Sequence, residues 1–151
     1  MSLKDRFDAD LKDAMRARDQ LRCDTIRSVK AAVINLEVAQ TDPVADAAVE
    51  EIVTRLVRQH RESIEIYAKA DRADLVGKEE AELEILLGYL PEQMSAEAIK
   101  ELVQRLAAET GVTGPGDKGK LMGVLMPQVK GKAEGKLVNQ VVMELLEGLA
   151  G

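Results

Sequence analysis

The sequence has few aromatic residues, one cysteine and no long apolar run, and each of these absences excludes a class of protein. Its 151 residues include two Tyr, one Phe and no Trp, so a base-stacking platform for single-stranded nucleic acid is not expected. One cysteine allows neither an intramolecular disulfide nor a cysteine-rich zinc framework. No apolar run approaches the ~18 residues that span a bilayer. Because the charged N-terminal residues also lack a secretory signal, we expect a cytoplasmic protein without a membrane partner.

The composition is that of a folded, acidic protein. Apolar residues make up 46% of the chain, and the net charge is −6. This charge excludes a uniformly basic nucleic-acid-binding protein. Contact with a polyanion would therefore need a local basic patch.

Apolar residues recur at intervals of three and four along the chain, and no segment alternates with a period of two. This periodicity predicts an all-α fold. We predict an N-terminal four-helix domain over residues 1–92 and a small three-helix C-terminal domain over residues 93–151. The composition changes after Pro91, so the boundary is expected between Pro91 and Ser95.

Helix ends are indicated by capping residues. Ser2 and Asp19 are predicted to cap the first two helices, and Ser95 the first helix of the C-terminal domain. The segment Thr41-Asp42-Pro43 predicts a helix stop followed by a new cap with proline just inside. Gly111 is predicted to end a helix in the left-handed conformation.

No catalytic constellation is visible. His60, the single histidine, falls on the apolar stripe of the third predicted helix. A packed or hydrogen-bonded histidine is favoured there over a catalytic one. Cys23 is interpreted as a structural thiol, because no histidine or second thiol is near it in sequence.

The acidic residues Glu79, Glu80, Glu82 and Glu84 could indicate paired carboxylates or a metal site. On a helix, Glu80 and Glu84 share one face, and Glu79 and Glu82 share another. A solvated surface is favoured for all four. We therefore predict no catalytic residue, no bound metal and no cofactor.

A basic, glycine-rich stretch near the C-terminus is the exception to the acidic composition. Residues 117–136 contain five lysines and two acidic residues, a net charge of +3. Glycine lets a backbone approach a phosphodiester strand closely, and lysines attract phosphate without sequence preference. The alternative is that the lysines only solubilise a small helical unit, and composition alone does not decide between the two.

Two longer strings of residues resemble a known family. The first runs from Glu79 to Ser95 and includes Tyr89-Leu90-Pro91. The second combines Met122-Gly123-x-Leu125-Met126-Pro127 with the stretch from Lys130 to Val138. Shorter strings upstream, Leu21 to Ser28, Arg61 to Ser63 and Ala70 to Leu75, look like the same family. On all these strings the chain resembles the GatB/YqeY family over nearly its whole length.

This resemblance implies a C-terminal domain similar to the tail of GatB, a subunit of the glutamine-dependent amidotransferase that corrects mischarged aminoacyl-tRNA. In that enzyme the tail engages the tRNA body, and the amidation chemistry resides elsewhere. The resemblance therefore implies an RNA-binding role and no catalytic residue. The residues to which it assigns this role are Lys118, Lys120, Gly123, Lys130, Lys132 and Lys136.

Three functions follow as hypotheses. The leading one is a non-catalytic tRNA-binding or tRNA-associated accessory protein with tRNA as its partner. The second is a protein-interaction module without an RNA role, whose partner would contact the N-terminal helical domain. The third is a component acting in amido transfer, which would require a nucleophile that the sequence does not visibly supply.

Overall fold

The computed structural model describes residues 1–150. Over that range it is all-helical, with seven α-helices, one short 3₁₀ turn at Pro115–Asp117 and no strand. The all-α prediction is confirmed. The helices are α1 (Leu3–Arg16), α2 (Gln20–Gln40), α3 (Asp46–Lys69), α4 (Ala73–Leu87), α5 (Ala96–Thr110), α6 (Lys118–Val129) and α7 (Gly135–Ala150).

Contacts divide the chain into two compact units, Met1–Pro91 and Glu92–Gly151. Helices α1 to α4 lie in the first unit and α5 to α7 in the second. Among residues 1–150, no helix combines the length and the apolar character needed to cross a bilayer.

The first two helices of the N-terminal unit begin at the predicted caps. Ser2 Oγ accepts a hydrogen bond from the Asp5 N–H at 3.1 Å, and the Asp5 carboxylate accepts one from the Ser2 N–H at 3.1 Å. This reciprocal pair is a capping box. Asp19 Oδ1 accepts from the Arg22 N–H at 3.1 Å, which satisfies an amide that has no helical partner.

The predicted cap before α3 is wrong. The helix begins at Asp46 with Ala45 in the N-cap position, without a side-chain cap, and Pro43 lies outside it. The Asp46 carboxylate instead accepts a hydrogen bond from the Leu3 N–H at 3.0 Å. The segment that was predicted to hold the cap therefore precedes the helix, and the first residue of α3 contacts the start of α1.

The core of the N-terminal unit is built by the inward faces of its four helices. Apolar side chains at helical spacing meet there, because burying such faces is the main favourable contribution to folding. The buried residues are Leu3, Phe7, Ile26, Val29, Val33, Val44, Val49, Ile52, Val53, Val57, Leu86 and Tyr89.

Tyr89 connects the end of α4 to α1. Its ring centroid lies 4.1 Å from that of Phe7, with an angle of 33° between the ring planes. Its hydroxyl donates a hydrogen bond to the Asp10 carboxylate. The Arg6 guanidinium lies 5.0 Å from the Tyr89 ring centroid, within the range of a cation–π contact. The Tyr-Leu-Pro segment of the sequence therefore has a packing role.

The buried Tyr89 predicts a loss of stability in alkaline solution. Burial, and then the hydrogen bond to Asp10, raises the pKa of Tyr89 to about 12, above the value of about 10 for an unfolded tyrosine. The stabilisation is therefore complete below about pH 10 and is lost as the pH rises toward about 12. Two pKa units correspond to about 2.7 kcal/mol at most, and solvent screening reduces this, so we expect the free energy of unfolding to fall by about 1–2 kcal/mol across this window. Urea unfolding at several pH values measures it.

Tyr89→Phe should remove that alkaline loss, because phenylalanine has no hydroxyl to ionise. Tyr67→Phe, which removes the other tyrosine hydroxyl of the chain, is the matched control and should keep the loss. An equal pH dependence in the wild type and Tyr89→Phe would contradict the assignment.

The C-terminal unit also begins and ends its first helix as predicted. Ser95 Oγ accepts from the Ala98 N–H at 3.1 Å, and Gly111 has φ 70° at the end of α5. Both predictions are confirmed. The core of the unit is formed by Ile99, Val103, Leu106, Ala107, Val112, Leu121, Leu125, Val129, Val138, Val142 and Leu146.

Candidate functional site

The five predicted lysines form two groups along α6. Lys118 and Lys120 lie in its first turn, whereas Lys130 and Lys132 lie in the turn between α6 and α7 and Lys136 lies in the first turn of α7. A helix rises ~1.5 Å per residue, so Lys120 and Lys130 are separated by roughly 15 Å along the helix axis. The sequence stretch is therefore not a single cluster.

The lysines face solvent in a unit whose other charges are mainly negative. Lys120, Lys130, Lys132 and Lys136 are exposed, and Lys118 is half-buried. Residues 117–136 carry a net charge of +3, whereas the remaining residues from 92 to 151 contain six acidic and two basic side chains. Positive charge is thus concentrated on α6 and the α6–α7 turn.

The α6–α7 turn is held by the segment that precedes α5. The Gln93 side-chain amide donates a hydrogen bond to the Gly131 carbonyl at 2.8 Å. The Met94 N–H donates to the Lys132 carbonyl at 2.7 Å. Gly131 has φ 76°, a conformation that glycine adopts without steric cost. The backbone carrying Lys130 and Lys132 is therefore fixed at two points.

Gln93 and Met94 were missed by the sequence reasoning as supports of this turn. Both residues belong to the string that resembles the GatB/YqeY family, and this membership was the one signal in the sequence that marked them. Their contact with Gly131 and Lys132 spans 38 residues, and helical periodicity contains no information about pairing at that separation.

The start of α6 is held in a different way. The backbone N–H and the hydroxyl of Thr113 donate hydrogen bonds to Asp117 Oδ2 at 2.8 and 3.2 Å. These two bonds, with a smaller contribution from Lys120, lower the pKa of the Asp117 carboxyl below its usual value. The ionised carboxylate thus stabilises the turn that leads to Lys118.

Gly123 leaves an open backbone edge on α6. It is exposed, and a Cβ atom added there would meet nothing within 4 Å. Pro127, four residues later, has no N–H to donate to the Gly123 carbonyl. Gly123 is three residues from Lys120 and shares its exposed face. Packing within the unit therefore gives no reason for a glycine at this position.

Gly123→Ala should consequently stabilise the protein. Alanine favours the helix by about 0.5–1 kcal/mol over glycine, and no neighbour obstructs its methyl group. Denaturant unfolding measures the change. Gly77→Ala in α4, where a Cβ also meets nothing within 4 Å, should give a similar gain. A lower free energy of unfolding for Gly123→Ala would contradict this description of the site.

An apolar groove lies elsewhere in the C-terminal unit. It has a volume of about 520 Å³ and is lined by side chains of α5 and α7, including Val103, Leu137, Val141 and Leu145. None of the six predicted RNA-binding residues lines it. The groove is therefore separate from the predicted RNA-binding residues.

A second group of polar side chains meets between α3 and α4. His60 Nδ1 is hydrogen-bonded to Glu79 Oε2, and Glu82 Oε2 lies 3.6 Å from the same nitrogen. The prediction of a hydrogen-bonded histidine is confirmed. The prediction of a solvated acidic surface is confirmed for Glu80 and Glu84, which are exposed, and is wrong for Glu79 and Glu82, which are half-buried.

The connection between α3 and α4 explains this error. It consists of three residues, 70–72, and so short a connection makes neighbouring helices antiparallel. His60 and Glu82 are each eleven residues from Asp71, so they face one another across the pair. Equal spacing about the turn was the signal in the sequence.

Cys23 lies in α2 and is 4% exposed. Its burial agrees with the interpretation as a structural thiol, because reactive thiols lie in accessible surroundings.

The fold and the two side-chain groups define a small helical protein with a basic surface in its C-terminal unit. A family model described as "Yqey-like protein" matches residues 4–146. The chain therefore belongs to the YqeY-like family, and the resemblance found in the sequence is confirmed.

Several curated fungal relatives are named "Altered inheritance of mitochondria protein 41, mitochondrial". The protein of Pyrenophora tritici-repentis is 33% identical over 144 residues, which cover 93% of this chain and 79% of the relative. That of Lachancea thermotolerans is 39% identical over 110 residues, covering 70% and 58%. That of Saccharomyces cerevisiae is 32% identical over 109 residues, covering 68% and 59%. The match thus spans less than two thirds of the last two relatives.

The names of these relatives overturn the predicted cytoplasmic location, because all three are named as mitochondrial proteins. The physical reason for the error is simple. Net charge and the length of apolar runs do not separate cytoplasmic from mitochondrial proteins.

Proposed function

We propose that this protein is a non-catalytic tRNA-binding accessory protein, related to the glutamine-dependent amidotransferase that acts on aminoacyl-tRNA. In this proposal the chain consists of an N-terminal four-helix domain and a C-terminal three-helix domain that contacts the RNA. The observation that supports this proposal is the concentration of lysines on α6 and the α6–α7 turn of a unit that is otherwise negatively charged.

The two lysine groups would contact phosphates at two places on the RNA backbone. Lys118 and Lys120 would form one contact, and Lys130, Lys132 and Lys136 the other. Both groups stand on backbone that internal hydrogen bonds hold in place. Little ordering of the chain is then needed on binding, which favours affinity.

Gly123 lies between these groups on the same helix. An RNA strand could approach the helix backbone closely there, since glycine has no side chain. The ribose 2′-hydroxyl could donate to an exposed carbonyl, a contact that DNA lacks. The acidic residues of the remaining surface would repel phosphate. Binding would thus be restricted to α6 and the following turn, with recognition of shape rather than of bases.

Equilibrium binding of fluorescently labelled tRNA to the full chain, at two salt concentrations, tests the proposal. Both total tRNA and mitochondrial tRNA serve as probes, because the relatives are named as mitochondrial proteins. Lys130→Gln combined with Lys132→Gln should weaken binding and reduce the salt dependence by about 1 per lysine removed.

The matched control removes two positive charges from α5 in the same unit. Lys100→Gln combined with Arg105→Gln changes exposed side chains and should affect binding much less. No binding at low salt, or equal losses in the two double variants, would contradict the proposal. Gly123→Ala should weaken binding without changing the salt dependence, whereas Gly77→Ala should leave it unchanged.

A protein partner for the N-terminal unit is the second candidate. Ile34 and Val38 lie one turn apart on α2 and are 55% and 75% exposed, which is unusual for two large apolar side chains on one helix face. Replacing both with serine should abolish a protein interaction that survives nuclease treatment. An interaction that persists in the double serine variant would contradict this candidate.

A further inference from the structure

The group of His60, Glu79 and Glu82 combines an imidazole from α3 with two carboxylates from α4. One ligand atom from each residue lies within 4.8 Å of the other two. The side chains are 20%, 19% and 16% exposed, respectively. They are thus largely withdrawn from water but still reachable by a small ion.

The two carboxylates share one nitrogen. His60 Nδ1 can carry at most one proton, which it donates to Glu79 Oε2 when that proton is present. Glu82 Oε2, at 3.6 Å from Nδ1, then gains no hydrogen bond from it. Two carboxylates brought together away from water need a compensating positive charge. The position between the three side chains is therefore suited to a cation.

The donor set indicates which class of cation. Imidazole together with carboxylates suits transition metals such as Zn²⁺, whereas Ca²⁺ and Mg²⁺ prefer oxygen ligands alone. Ligand atoms around a tetrahedral zinc ion are ~3.3–3.4 Å apart, from bonds of ~2.0–2.1 Å. The three donors lie within 4.8 Å of one another, so a bound ion would replace the hydrogen bond between His60 and Glu79 and draw the donors to that spacing.

We propose that His60, Glu79 and Glu82 form a binding site for one divalent transition-metal ion. Three protein ligands leave at least one coordination position for water, the arrangement found in sites that are not purely structural. The proposal is independent of RNA binding, because it concerns only side chains of α3 and α4.

Titration of the full chain with Zn²⁺, after treatment with a chelator, tests the site. We expect one ion per chain, and the affinity of Glu79→Gln combined with Glu82→Gln should fall at least about 10-fold. Glu80→Gln combined with Glu84→Gln removes the same charge from exposed positions of the same helix and should retain the affinity. Equal losses in the two double variants, or no binding by the wild type, would overturn the proposal.

A second measurement needs no variant. His60 is the only histidine, so its ring resonances in an NMR spectrum are unambiguous. Zn²⁺ should shift them at one equivalent, and a chelator should reverse the shift. If Zn²⁺ binds while these resonances stay unchanged, the ion is held elsewhere and the proposed site is wrong.

Discussion

Replacing Phe7 with alanine should lower the free energy of unfolding by about 3–5 kcal/mol. Phe7 is 1% exposed and packs against the Tyr89 ring, so the change leaves a cavity and removes an aromatic contact. Urea unfolding followed by circular dichroism measures the loss. It is the largest effect that we expect from one substitution in the N-terminal unit.

Met15→Ala is the control for that prediction. Met15 lies in the same helix but is 53% exposed, and surface substitutions usually change stability by no more than about 0.5 kcal/mol. A loss for Phe7→Ala as small as that of Met15→Ala would show that the Phe7–Tyr89 contact does not stabilise the unit as described.

Leu125→Ala should cost about 2–5 kcal/mol in the C-terminal unit. Leu125 is a fully buried residue of α6, the helix that carries two of the predicted RNA-binding lysines. A unit of roughly 60 residues has a low free energy of unfolding, so the C-terminal unit should be unfolded in part of the Leu125→Ala molecules. Val124→Ala, which changes an adjacent side chain that is 40% exposed, is the control.

The same substitution connects stability with the proposed function. A ligand that binds only the folded state adds RT ln(1 + [L]/Kd) to the free energy of unfolding, so the melting temperature rises with ligand concentration. We expect tRNA to raise the melting temperature of both the wild type and Leu125→Ala. Bound tRNA should restore part of the melting temperature that Leu125→Ala loses, because the variant keeps all of the lysines. An unchanged melting temperature at high tRNA concentration would contradict the proposed binding.

Features that depend on neighbours in sequence were predictable. Ser2, Asp19 and Ser95 cap helices because a short polar side chain reaches an amide two or three residues later. Gly111 ends α5 because glycine adopts positive φ at low cost. These contacts are made within a few residues, and the sequence contains all the information that they need.

Features that depend on the register of packed helices were not predictable in the same way. Helix α3 begins at Asp46, after the segment that was predicted to cap it, and the Asp46 carboxylate accepts a hydrogen bond from the distant Leu3 amide. Glu79 and Glu82 are half-buried because α3 and α4 pair with His60 opposite them. Periodicity predicts which face of a helix is apolar. The residue of another helix that lies across from it follows only once the connection between the two helices is known to be short, as between His60 and Glu82.

The predicted RNA-binding stretch has some features that the sequence alone predicts and others that depend on tertiary structure. Its residues and its net charge can be read from the sequence, and its glycine content predicts turns. Its division into two lysine groups at opposite ends of α6 follows from where that helix begins and ends. The support of the α6–α7 turn by Gln93 and Met94 depends on tertiary contacts and could not be predicted.

Ultraviolet crosslinking of the full chain to tRNA, followed by mass spectrometry of the crosslinked peptides, tests the central claim most directly. Crosslinks should concentrate in the peptides that contain residues 118–136, and they should decrease as salt is raised. Crosslinks confined to the N-terminal unit, or none at low salt with tRNA in excess, would contradict the claim that α6 and the turn after it bind RNA.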